Sequence, residues 1–253
     1  MWGIILGHSS QCPLLGKELL IIKVVRDEDL RDQIGKDICF DLIDHAKKEV
    51  AEEFDIPEQF QRFWTWAWRK NQTYRPLRPL TQQAELTTVG ELSKIASKKA
   101  GTQELNLFLE VNYGPERCPI PPPVKDKEDL LLFFKLYDPE KEELRYVGWL
   151  FVKSHGKPID ILTKMNKMAG FAPHQEIELF EEITSEPSVM CLPLDKSVSF
   201  HVSEIGDGDI ICFQKYPTLD IEPCTRYPDV PSFMEYVKKV NGNLHYLYLM
   251  NIL

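Results

Sequence analysis

The chain has no C-x-x-C pair. Its six cysteines are scattered at 12, 39, 118, 191, 212 and 224, a pattern that excludes a clustered zinc site and a dense disulfide framework. Cys191 and Cys212 sit in apolar surroundings, where cysteine behaves as a small hydrophobe, and a reducing compartment is expected. A basic excess is also missing. Thirty Lys and Arg against 39 Asp and Glu leave a net charge of −9 and a pI near 5.3, which argues against nucleic-acid binding and against docking on anionic membrane. The opening Met1-Trp2-Gly3-Ile4-Ile5-Leu6-Gly7 is apolar but short and has no basic residues ahead of it, so neither a signal peptide nor a membrane span is expected. The expected location is nucleus and cytoplasm. What is present is a globular composition, 43% hydrophobic and 27% charged over 253 residues, enough for one or two domains with a real core.

One stretch stands out, Glu204-Ile205-Gly206-Asp207-Gly208-Asp209-Ile210-Ile211-Cys212-Phe213-Gln214-Lys215. Its first half is a glycine-rich turn with two carboxylates one residue apart; its second half is a short apolar run suited to a buried strand. The strand fixes where Asp207 and Asp209 point, and an acidic turn on a rigid strand can receive a cationic side chain. Asp-Gly also serves very often as an ordinary solvated strand-entry turn, and the residues alone leave both readings open.

Residues 1–16 read as a loose end. Glu18–Val25 and Ile38–Ile43 are strand candidates, separated by a charged turn at Arg26–Asp29, and His45–Phe54 is patterned as a helix that Ile56-Pro57 ends. Phe60–Arg69 alternates, placing Trp64, Trp66 and Trp68 on one strand face; such a stripe is more often core than a binding platform. Residues 71–86 are turn-rich, and Leu105–Val111 is a buried strand. Cys118-Pro119-Ile120-Pro121-Pro122-Pro123 marks a stiff, extended linker, a spacer more than an adaptor ligand. Beyond it come strands at Asp129–Tyr137 and Leu144–Val152, then a helix capped by Asp160 that runs to Ala169. Met165 and Met168 lie on its inner face and Gly170 ends it. Strands at Glu176–Ile183 and Ile210–Gln214 follow, joined by a long connection over 184–206. A sheet packing one helix is an α+β arrangement. The two halves echo each other as a weak internal repeat of about 85 residues.

The phrases FFKLYDPEKEELRYVG (133–148), GFAPHQEIELFEEI (170–183) and DGDIICFQK (207–215), with KVVRDEDL, IGKDICFDLIDH, QRFWTWA, TYRPLRPLT and YPDVPSF, resemble the ubiquitin-specific protease 7 family, its plant members in particular. The likeness covers roughly 17–238 and falls on the first two ubiquitin-like domains after the catalytic domain. It implies tandem β-grasp units arranged as follows: a pre-domain strand segment at 17–45, a first unit at 46–112, a Pro-rich linker at 113–128, a second unit at 129–216 and a tail at 217–253. About fifteen residues of the family pattern, including the first unit's opening strand, are absent between His45 and Lys47. Leu19–Val25 is expected to move in beside Leu105–Val111 in its place. The ends (1–16 and 241–253) depart from the family pattern, which is expected of a truncated or alternatively spliced product, or of a gene-prediction artefact.

The resemblance also implies a binding module. A papain-like deubiquitinase needs a thiolate, a histidine base and an orienting acid or amide in one cleft. Nothing here resembles the family's cysteine or histidine box, and Cys39 near His45 is an accidental pair. In the family the second ubiquitin-like domain captures Lys-rich linear segments, including those of a herpesvirus immediate-early protein in the animal case. Asp207 and Asp209 match its acidic turn, and Glu204 and Glu181 match acids beside it. Ser203 stands where the animal member carries another acid. The expected partners are therefore proteins with Lys-rich motifs, bound without a cofactor, without metal and without catalysis. The alternatives are a regulatory fragment acting on a full-length deubiquitinase, or a truncated product with no independent function.

Overall fold

In this computed structural model the described residues are 19–26, 36–41, 46–68, 74–100, 105–114, 118–184, 188–216 and 225–250. The N-terminal end at 1–16, the turn Asp27–Asp29, His45 of the Cys39 pair and residues 217–224 of the tail lie outside them. The described residues divide into two units, 19–125 and 126–250, with one strand order between them.

In the first unit β1 (Leu19–Arg26) and β2 (Lys36–Asp41) pair antiparallel. Then follow α1 (Ala46–Phe54), β3 (Arg62–Trp68), β4 (Tyr74–Pro79), α2 (Gln82–Glu85), α3 (Val89–Ala100) and β5 (Asn106–Glu110). The sheet order is β2-β1-β5-β3-β4. β1 runs parallel to β5, with Val24 opposite Leu107 and Val25 opposite Phe108. The Leu19–Val25 segment therefore fills the central place of the opening strand, and the gap expected there is closed. An empty place would have left two rows of ladder groups unpaired. Val24, Val50, Ile56, Phe63, Leu107 and Leu109 form the helix-side core.

Strand alternation puts Arg62 and Trp64 on the opposite face from Phe63. Of the tryptophan stripe Trp64 is fully buried and Trp66 half-buried, on the outer face of the sheet rather than under the helices. Trp66 stacks on Phe108 there, with centroids 5.8 Å apart. The chain leaving β5 does not begin as a free spacer. β6 (Asn112–Tyr113) pairs with β7 (Pro119–Ile120), and the Gly114 amide donates to the Cys118 carbonyl at 2.8 Å.

The second unit contains β8 (Asp129–Asp138), β9 (Glu143–Lys153), α4 (Leu162–Ala169), β10 (Ile177–Thr184), β11 (Met190–Pro193) and β12 (Ile210–Lys215), in sheet order β11-β10-β12-β8-β9. β12 lies parallel to β8, so central strands and crossover repeat the first unit, and both are β-grasp sheets. Met165 is fully buried in the core, with Met168 packed against it. Gly170 ends α4 at φ 75°. Asp160 does not cap α4. It lies in a 3₁₀ turn, Pro158–Ile161, and its carboxylate reaches back to the Lys157 amide at 2.9 Å, because Pro158 already starts the turn ahead of the helix. The connection over 184–206 holds the edge strand β11, and its Phe200 is buried in the core. The tail carries α5 (Val230–Met250), where Asp229 accepts from the Ser232 amide at 2.8 Å. Among the described residues no helix is long and apolar enough to cross a membrane.

Candidate functional site

The acidic turn lies immediately before β12 and is bonded to β8. Gly208 sits at φ 83°, a conformation open to glycine and strained for most other residues. Its amide donates to the Leu131 carbonyl at 2.7 Å, and the Phe133 amide donates to the Asp209 carbonyl at 3.0 Å. The turn is therefore the first step of the β12–β8 ladder. Both aspartates tighten it. Asp207 Oδ1 accepts from the Leu131 amide at 2.8 Å, and Asp209 Oδ2 accepts from the Gly206 amide at 2.6 Å. Asp209 is 9% exposed, while Asp207 is half-buried. A carboxylate accepting a backbone N–H makes a strong, short bond, so one oxygen of each aspartate serves the fold.

Glu204 is exposed and lies in the left-handed region at φ 59°. Its amide donates to the His201 carbonyl at 3.2 Å, and the Ile205 amide donates to Phe200 at 2.9 Å. That closed turn lifts the Glu204 side chain outward from the buried Ile205. Glu181 stands half-buried on the neighbouring strand β10, opposite Ile211, two residues past Asp209. Ser203 is half-buried, one residue before Glu204. The structure thus gathers Glu204, Asp207 and Asp209 in one turn and puts Glu181 on the adjoining strand at nearly the same level.

Sequence reasoning passed over two buried acids on the outer faces of the sheets. Glu110 is 1% exposed. Its Oε2 accepts from the Trp64 indole at 2.7 Å and pairs with Arg62 at 3.3 Å. Burial outweighs both and pushes its pKa up to about 7. In the second unit Glu182 pairs with Lys135 at 2.7 Å, and the Cys212 thiol lies 3.5 Å from the same oxygen. Burial pushes Cys191 up to about 12, and Cys212 well above the ordinary thiol value, with the Glu182 charge adding to both. Thiols so placed are protonated and inert. The available signal was a single polar residue inside an apolar strand, Lys135 in DLLLFFKLY and Glu110 at the end of LNLFLE. Among the described residues no three His, Cys, Asp or Glu side chains are placed to hold a metal.

Residues 61–241 match the family model described as the ICP0-binding domain of ubiquitin-specific protease 7. The chain is 57% identical to ubiquitin C-terminal hydrolase 13 of Arabidopsis thaliana and 59% identical to its hydrolase 12, over 86% of this chain in each case. It is 29% identical to ubiquitin carboxyl-terminal hydrolase 7 of Drosophila melanogaster over 43% of the chain. The matched region is about a fifth, 21%, of each Arabidopsis relative and 10% of the Drosophila one. The relatives are hydrolases, and the matched model is a binding domain. With two β-grasp sheets in tandem and this match across most of its length, the chain belongs to the family of the ubiquitin-specific protease 7 ICP0-binding domain.

Proposed function

We propose that the chain is a non-catalytic, partner-recruiting module of a ubiquitin-specific protease, and that it captures Lys-rich linear segments on the turn Glu204–Asp209 with Glu181 beside it. The observation that carries the reading is the anchoring of the turn to β8. The amide bonds to Asp207 Oδ1 and Asp209 Oδ2 hold the loop rigid before any ligand arrives, and a preorganised site spends little on ordering when it binds. Glu204 is the acid aimed most openly at solvent. Each exposed ammonium–carboxylate contact contributes up to about 1 kcal/mol, so affinity is micromolar-like and falls with added salt.

The test is a fluorescent peptide with two lysines spaced four apart, titrated into the chain at low and moderate salt. Glu204→Gln should weaken binding about fivefold, the equivalent of one exposed pair. Asp207→Asn with Asp209→Asn keeps an amide oxygen for each backbone donor and removes two charges, and should abolish binding while the fold survives. Salt-independent binding, or binding indifferent to all three substitutions, would refute the acidic turn as the site. Any turnover of a ubiquitin–fluorophore conjugate by the purified chain would overturn the non-catalytic reading.

A further inference from the structure

The outer face of the first sheet holds a second receptor, built from residues that the acidic turn does not use. Antiparallel register sets Arg62 of β3 opposite Glu110 of β5 and Trp64 opposite Phe108. Glu110 lies between Arg62 and the Trp64 indole N–H and fixes both. Thus oriented, Arg62 Nη2 donates to two consecutive linker carbonyls, Pro122 at 3.2 Å and Pro123, and Lys125 lies 5.5 Å from the centroid of the Trp64 ring. Proline-rich backbone has no internal hydrogen bonds, so its carbonyls wait for outside donors. A rigid guanidinium fork beside an aromatic ring is the chemistry that recognises such backbone.

Two further features mark this as a receptor and not merely an anchor. The strap is held only locally, since Pro121, Pro123 and Val124 are exposed, Val124 at 94%. Beside it opens a cavity of about 240 Å³ lined by Gln59, Gln61, Arg62, Gln82, Glu85 and Pro122 among others. Gln61 is 3% exposed. Its Nε2 is committed to the Lys47 and Ile56 carbonyls, which leaves Oε1 as a buried acceptor without a protein partner. A buried acceptor of that kind calls for a donor.

We propose that Arg62, Trp64 and Glu110 form a cradle for polyproline-type backbone, occupied in cis by Pro122–Pro123, from which a proline-rich partner segment displaces the chain's own linker. A donor-bearing side chain next to the partner's prolines fills the cavity and meets Gln61 Oε1. Because the linker is tethered, its high local concentration holds the cradle closed against weak competitors.

The experiment uses the full chain and a fluorescein-labelled peptide PIPPPV, with AIAAAV as control. Replacing Pro121, Pro122 and Pro123 together by Ser keeps the carbonyls but removes the preset extended backbone and so loosens the strap; this variant should bind PIPPPV at least tenfold more tightly than the unaltered chain. Adding Arg62→Gln should abolish that binding, and AIAAAV should not bind. In the unaltered chain, millimolar PIPPPV should speed hydrogen exchange at Gly114 and Val124 without changing exchange in β3 and β5. A cooperatively melting strap variant that ignores PIPPPV, equal binding of the two peptides, or binding that survives Arg62→Gln would overturn the proposal. Unchanged exchange at saturating peptide would do the same, and it requires no variant to fold.

Discussion

Glu110→Gln should stabilise the first unit at pH 8 and erase a pH dependence that runs opposite to that of a salt-bridged carboxylate. The Glu110 carboxyl is raised from 4.5 to about 7 because burial outweighs its attraction to Arg62. Between those two values the folded chain holds a proton that the unfolded chain has lost. Stability is therefore full below about 4.5, falls as pH rises toward 7 and is flat above it. A shift of about 2.5 units corresponds to about 3 kcal/mol. Glutamine keeps an acceptor for Trp64 and Arg62 but buries an amide NH₂, which offsets about 1–2 kcal/mol of the gain. The net expectation is about 1–2 kcal/mol of stabilisation at pH 8 and none at pH 5. Trp64, Trp66 and Trp68 all lie in β3, and Trp149 lies in β9 of the second unit, so urea unfolding followed by tryptophan fluorescence in a Trp149→Phe background reports on the first unit. From pH 5.5 to 7 the unaltered chain should lose about 2 kcal/mol and Glu110→Gln almost none. Flat or rising stability over that range, with Glu110→Gln destabilising at pH 8, would refute the reasoning.

Two other outcomes are expected. Gly148 faces the bulge between Phe134 and Lys135 at φ 149°, and a Cβ there would stand 3.0 Å from Met168 Sδ. Gly148→Ala should therefore cost the second unit about 1–3 kcal/mol; thermal unfolding measures it, and an unchanged Tm would contradict the strain argument. Cys191 and Cys212 should react with a thiol reagent only as fast as the second unit unfolds, whereas exposed Cys118 reacts at once. Rapid labelling of all three in native buffer would count against the burial of the first two.

The elements with clean periodicity were legible in the sequence: β8 and β9, α4 with its glycine stop, and the acidic turn before β12. The missed elements were short or polar. β11 has four residues, two of them exposed hydrophobics, Met190 and Leu192, so it carries no alternation to read. α3 was hidden in a polar stretch. Its start was nonetheless written as Thr88-x-x-Glu91, and the Glu91 amide does donate to Thr88 Oγ1 at 3.3 Å while the Thr88 amide donates to Glu91 Oε2 at 3.4 Å, both halves of a capping box. Asp207 and Asp209 stand out by their spacing and Glu204 only through the resemblance, but the inward bonds do not, because a carboxylate facing Leu131 across 76 residues leaves no local signature. The core reading of the tryptophan stripe holds for Trp64, which is fully buried, while Trp66 is half-buried. Alternation cannot say which side of a sheet is covered when both sides are.

The two units share more than strand order. In each, the chain leaving the last sheet strand returns over the outer face and is fixed there through main-chain carbonyls at prolines or beside them. Arg62 holds Pro122 and Pro123 in the first unit. In the second, the Tyr137 hydroxyl donates to the Tyr227 carbonyl at 2.6 Å, Gln214 Nε2 donates to Pro228 at 3.1 Å, and Gln214 Oε1 accepts from the Val230 amide at 3.1 Å. Each face also buries one ion pair, Arg62–Glu110 or Lys135–Glu182. A buried pair is tolerated only when its remaining donors and acceptors are bonded, as Arg62 is by the returning linker, so the returning segment completes the unit. A second unit ended at Tyr216 would lose the carbonyls that satisfy Tyr137 and Gln214, together with the rings of Phe233 and Tyr227 that cover Tyr137's side of the sheet. Three hydrogen bonds, one buried and two part-buried, at about 1 kcal/mol each, plus the uncovered aromatic area, exceed what a small domain can lose without a large drop in Tm. Equal melting temperatures for the piece ended at Tyr216 and the piece carried through α5 would show that the sheet stands without its cover.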